Sequence, residues 1–68
     1  SREERIRACY QHACLQYVSG GDMTNASLRK RLGIKESNYP TASKIIKDAT
    51  DLNLIKSKKD ASYVPFWA

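Results

Sequence analysis

The chain has little of what enzymes and membrane proteins are usually built from. No apolar run approaches the roughly 20 residues of a membrane-spanning helix. The charged stretch from Arg2 to Arg7 is not followed by an apolar segment, so no secretory leader is expected. Glycine occurs three times. It nowhere forms Gly-x-x-x-x-Gly-Lys-Ser/Thr or a glycine-rich strand-to-helix turn, which removes the common phosphate cradles of nucleotide-using enzymes. Histidine occurs once, at His12, and cysteine twice, at Cys9 and Cys14. On a helix the two thiols are separated by about 140° of rotation, so they diverge and do not suit a disulfide. With a single histidine the set is too small for a zinc site. The cysteines read as small apolar residues in a reducing cytosol, with no metal and no cofactor. Acidic residues are scarce as well: seven, against twelve Lys/Arg, for a net charge of +5.

What is present is a small basic domain. At 68 residues the chain buries only about 60% of its unfolded surface. It has room for three helices and a hairpin, and none for a separate catalytic domain. No repeat or low-complexity segment occurs. The chain starts at Ser1 and has its only methionine at Met23, so residues 1–68 are expected to be the C-terminal piece of a larger protein. Between Arg29 and Lys47 lie six basic residues and one acid, Glu36, and Lys56, Lys58 and Lys59 follow. Clustered positive charge of this kind fits a polyanion, though a solvated surface explains it equally well.

Hydrophobic spacing sets the elements. Ile6, Cys9, Tyr10, Ala13, Cys14 and Tyr17 share one face of a helix over 3–18. Leu15 points the other way, and His12 falls on the outer flank as a surface residue. Ser19-Gly20-Gly21-Asp22 ends that helix, and a very short strand over 21–23 would aim Met23 inward. Thr24 is a helix N-cap, with Ala26, Leu28, Leu32 and Ile34 as apolar contacts and Gly33 as the stop. Arg29, Lys30 and Arg31 are consecutive and therefore fan around this second helix. Ala42, Ile45, Ile46, Ala49 and Leu52 then mark the buried face of a third helix, with Thr41, Lys44, Lys47, Asp48 and Asp51 opposite. Asn38 is expected to cap it, Pro40 is tolerated in its first turn, and Asn53 ends it in a left-handed conformation. Tyr39 would pack against Ala42 and Ser43 or stack on a sugar. Two strands, 54–57 and 62–66, are joined by Lys58-Lys59-Asp60-Ala61. Pro65 demotes the second of them to an edge. Phe66 and Trp67 should close the core by packing on the first helix, or form a partner patch.

Met23-Thr24-Asn25-Ala26, Leu28-Arg29, Leu32-Gly33-Ile34, Ala42-Ser43-Lys44-Ile45-Ile46-Lys47-Asp48 and Leu54-Ile55-Lys56 together resemble the winged helix-turn-helix pattern of bacterial transcriptional regulators. Asn53 stands where that pattern commonly has glycine. The ending Tyr63-Val64-Pro65-Phe66-Trp67-Ala68 is similar to the C-terminal domain of regulators with an Alba/schlafen-type N-terminal domain, often described as RecG helicase-like or ATP-binding. The likeness spans nearly the whole chain. It implies a mostly α fold with a small β-hairpin: a winged helix-turn-helix, or three-helix bundle plus wing.

The function expected from this is binding of double-stranded DNA in transcriptional regulation, in the cytoplasm and without catalysis. The third helix would enter the major groove and bring Thr41, Ser43, Lys44, Lys47 and Asp48 near base edges. Arg29, Lys30, Arg31, Lys35, Tyr39, Lys58 and Lys59 would meet the phosphate backbone. Neutralising about five phosphates would give a slope of log K against log salt near −4 to −5. The third helix carries no arginine, so sequence choice would be modest or shared across a homodimer. The rival is a protein-interaction or assembly module of a larger ATP-binding or helicase-like protein, in contact with its N-terminal domains, with Leu15, Tyr39, Phe66 and Trp67 as anchors. RNA or single-strand binding fits less well, because the hairpin offers only Tyr63 and Phe66 for stacking.

Overall fold

The computed structural model describes residues 1–68. Three helices and three short strands follow in the order α1 (Arg2–Val18), β1 (Met23–Thr24), α2 (Asn25–Leu32), a 3-10 turn (Glu36–Asn38), α3 (Tyr39–Asp51), β2 (Ile55–Lys59) and β3 (Ser62–Pro65). The expected mostly α architecture with a hairpin is what the chain adopts. The helices form a bundle whose core is Ile6, Cys9, Ala13, Met23, Leu28, Ala42, Ile45, Ile46, Ala49 and Ile55. These are mostly the residues whose spacing marked one face of each helix, because burying that face is the main gain available to so short a chain.

Local signals fix the helix ends. Ser1 and Glu4 make a reciprocal capping box, so α1 begins at Arg2, one residue before the sequence suggested. Thr24 and Ser27 do the same for α2, and Gly33 ends it at φ 70°. Asn53 takes φ 59° after α3, the left-handed stop expected of it. Asn38 behaves differently. Its side chain makes no cap hydrogen bond, because a 3-10 turn runs directly into α3 and leaves the chain already helical at Tyr39.

The sheet is antiparallel with β3 in the middle, in the order β1-β3-β2. Met23 pairs with Tyr63, and Ile55 pairs with Pro65. Pro65 therefore does not mark an edge strand. The Phe66 amide donates to the Leu54 carbonyl at 2.9 Å, so by alternation the nitrogen of Pro65 faces away from β2. On that side the two-residue β1 has already ended, and no ladder hydrogen bond is lost. Lys58 and Lys59 lie in β2 rather than in the turn, with a register shift between Ser57 and Lys59, and Asp60 turns the chain at φ 54°.

Several residues face otherwise than the spacing suggested. His12 is buried, not on the surface; its Nε2 lies 3.0 Å from Ser27 Oγ. Ser27 Oγ also donates to the Thr24 carbonyl and accepts from the Thr24 amide. Its one hydrogen is thus used, and its second acceptor site suits a proton on Nε2. The α1–α2 contact selects His12 for this inward polar role. Ala26 is exposed and Asn25 is buried in its place. Leu52 is exposed because it falls at the C-cap, where the helical period ends. Tyr17 is exposed, edge-on to Trp67, and Cys14 is half-buried. Asp48 is buried, contrary to its place on the solvent side of a simple helical wheel.

Candidate nucleic-acid interface

α3 presents one uncovered side, running through Pro40, Lys44, Lys47 and Asp51, all exposed. Two other elements flank it. On one flank stands the hairpin. Ser43, Ile46, Lys47, Thr50 and Asp51 of α3 line a groove of about 330 Å³ together with Ala61 and Tyr63 of the hairpin. The wing tip and the outer flank of α3 thus border one concave surface. On the other flank stands the amino end of α1, where Arg2 reaches Asp48.

The start of α3 is locked to α2 by Asn25. Asn25 Nδ2 donates to the Tyr39 carbonyl at 3.3 Å and to Ser43 Oγ at 3.0 Å. Its Oδ1 accepts from Arg29 Nε at 2.6 Å. The Arg29 guanidinium lies 5.6 Å from the centre of the Tyr39 ring, within the range of a cation–π contact. Tyr39 is therefore held by Arg29 and remains half-exposed. Asn25 was not among the expected site residues. Its signal was a polar side chain three residues before Leu28, on the face that α2 buries.

The expected site residues do not form one continuous cationic face. Ser43, Lys44 and Lys47 share the outer half of α3, and Thr41 lines the groove toward α1. The lysines are matched by acids on the same helix. Lys44 Nζ is 3.5 Å from Asp48, and Lys47 Nζ is 2.8 Å from Asp51. The Asp51 carboxylate raises the Lys47 pKa above its ordinary value. Asp48, expected at base edges, points instead toward α1, where Arg2 Nε meets it at 3.3 Å. A residue at the boundary of the buried face turns inward once it finds two cations there.

The basic triplet of α2 separates as its consecutive positions require. Arg29 turns to Tyr39. Arg31 lies close enough to His12 to help lower its pKa, although burial of the imidazole is the larger cause. Lys30 and Lys35 are exposed and pair with no acid. At the wing, Lys58 is tied to Asp22 at 3.4 Å, while Lys59 is free. The exposed cations on and beside α3 are Lys44 and Lys47, held by Asp48 and Asp51, the unpaired Lys35 at the entrance to the helix, and Arg2 and Arg5 on the α1 flank; Lys59 is unpaired on the wing.

Burial pushes the Cys9 thiol up to about 12, which keeps it protonated and inert. No group of three or more His, Cys, Asp or Glu is arranged to hold a metal ion. No helix is long and apolar enough to cross a membrane. Compared with protein-family models, curated proteins and solved structures, the chain matches none of them.

Proposed function

We propose that this domain binds double-stranded DNA, with α3 in the major groove and the hairpin against the backbone, as the DNA-contacting part of a transcriptional regulator. The observation that carries the reading is the groove shared by α3 and the hairpin tip. An uncovered helix beside a β-hairpin has the size and shape to fill a groove about 12 Å wide while touching its rim. The resemblance of nearly the whole chain to bacterial winged helices points the same way.

The ion pairs on α3 qualify the mechanism without removing it. Exposed pairs of this kind are worth roughly 0–1 kcal/mol, so a phosphate can displace Asp51 from Lys47. Sequence choice would fall to Ser43, Lys44 and Lys47, and it is modest because lysine lacks the planar fork of arginine. A homodimer on a twofold site would multiply that choice. Replacing Lys44 and Lys47 together by alanine is expected to weaken binding to a random duplex at least about tenfold, from the loss of two charge-assisted contacts. Fluorescence anisotropy measures this, and unchanged affinity would exclude α3 from the contact surface.

A second reading has its own support. Leu15, Tyr17, Val18 and Trp67 are exposed at the far end of α1. Trp67 packs edge-on to Tyr17, with centroids 5.5 Å apart, and donates to the Tyr10 hydroxyl at 2.8 Å. Trp67 sits on α1, whereas Phe66 lies beside Lys56 of β2, 5.9 Å from its Nζ; both remain partly open to solvent. A domain that docks a protein there, and shows no affinity for duplex, would be an assembly module.

A further inference from the structure

Across α3 from the wing, the amino-terminal turns of α1 and α3 enclose a groove of about 620 Å³. Arg2, Arg5, Thr41, Lys44 and Asp48 are on its walls. Neither arginine was among the contacts expected from the sequence. Three side-chain cations meet one acid, which leaves an excess of two positive charges.

The arrangement is asymmetric in exposure. The Asp48 side chain is 12% exposed, while those of Arg2 and Lys44 are 65% and 72% exposed. The buried carboxylate holds two cations at the groove wall with their outer surfaces in water. Arg2 meets it through Nε. A guanidinium has five N–H donors, so both terminal nitrogens of Arg2 remain for another acceptor. Arg5 forms no ion pair at all. The amino end of α3 adds the positive pole of its dipole at the same place.

We propose that this groove is a phosphate-binding subsite for the DNA strand that lies across α3 from the wing. The proposal rests on the duplex-binding reading above and adds α1 to the contact surface. A helix seated in the major groove has one backbone on each side. The hairpin with Lys59 meets one of them. On the other side, α1 carries Arg2 and Arg5 into the groove beside α3. Terminal guanidinium nitrogens match two phosphate oxygens in a planar fork, which lysine does not. A duplex held on both rims of its groove is fixed in register by α1 and the wing, leaving α3 to meet the bases.

Arg5→Gln and Arg7→Gln each remove one exposed positive charge of α1, the first in the groove and the second outside it, beside Tyr10, Leu52 and Leu54. Affinity for a random-sequence duplex, measured by anisotropy at several salt concentrations, separates local contact from overall charge. Arg5→Gln is expected to bind about tenfold more weakly, with a salt slope shallower by about 0.9. Arg7→Gln is expected to bind within about twofold of the parent, with an unchanged slope. Arg2→Lys keeps a charge beside Asp48 but loses the fork, and it is expected to weaken binding. Equal effects of Arg5→Gln and Arg7→Gln, or an unchanged slope for Arg5→Gln, would overturn the subsite while leaving the duplex reading intact. Absence of duplex binding by the parent protein would overturn both.

Discussion

Lys44–Asp48 and Lys47–Asp51 lie on the same helix with the same four-residue spacing and the same order of charge. Their surroundings differ. The Asp48 side chain is 12% exposed and shared with Arg2; that of Asp51 is 60% exposed and held by Lys47 alone. Asp48 joins two helices through Arg2, and it would be buried without a partner if both cations were removed. The second is a local surface pair whose members are solvated whether or not they meet. Equal spacing in the sequence thus produces one structural junction and one exchangeable site, and the difference comes from what packs beside each acid.

The largest expected consequence is on stability. Replacing both Arg2 and Lys44 by alanine leaves Asp48 buried with neither cation, and should cost roughly 2–3 kcal/mol. Lys47→Ala should cost less than about 0.5 kcal/mol. Urea unfolding reads both as shifts of the midpoint at constant slope. Equal costs would mean that the two pairs are energetically alike and that Asp48 joins nothing.

A smaller effect concerns binding. Asp51→Asn frees Lys47 and removes an acid from the proposed DNA face, so duplex affinity should rise by about two- to fivefold at low salt. Stability should be nearly unchanged. A fall in affinity would show instead that Asp51 makes a favourable contact with the bases.

The other junction of α1, with α2, uses a neutral hydrogen bond and should respond to pH where the ion pairs respond to salt. Burial, aided by Arg31, lowers the His12 pKa below its ordinary 6.5. The folded state therefore favours neutral imidazole. Its contribution is complete above about pH 6.5 and is lost as pH falls through the lower, folded value. Stability should decline with acidification in that window, and His12→Gln should flatten the decline when the two are compared by thermal melts. An identical pH profile for the variant would place the titration elsewhere.

Much of the fold was legible because its signals are local. Thr24, Gly33 and Asn53 carry their backbone geometry in their own side chains or lack of one. The strict three-and-four spacing of Ala42, Ile45, Ile46 and Ala49 leaves α3 one way to face. The inward polar residues were not legible. His12, Asn25 and Asp48 are buried only because Ser27, Ser43 and Arg2 arrive from distant positions to satisfy them. A wheel drawn for one helix contains no such partners. The charge distribution of the candidate site failed to be legible for the same reason. Counting Lys44, Lys47 and Lys58 as free cations ignores Asp48, Asp51 and Asp22, of which Asp22 comes near only after the hairpin folds back beside the loop before β1. Arg2 and Arg5 were passed over because nothing in a linear reading brings the first turns of α1 beside α3.

The central claim is that α3, flanked by the wing on one side and the arginines of α1 on the other, is a duplex-binding face. The salt dependence of affinity for a random-sequence duplex tests it most directly. Five contacting cations, Arg2, Arg5, Lys44, Lys47 and Lys59, should give a slope of log K against log salt of about −4 to −5. No measurable binding at low salt, or a slope shallower than about −1, would contradict it.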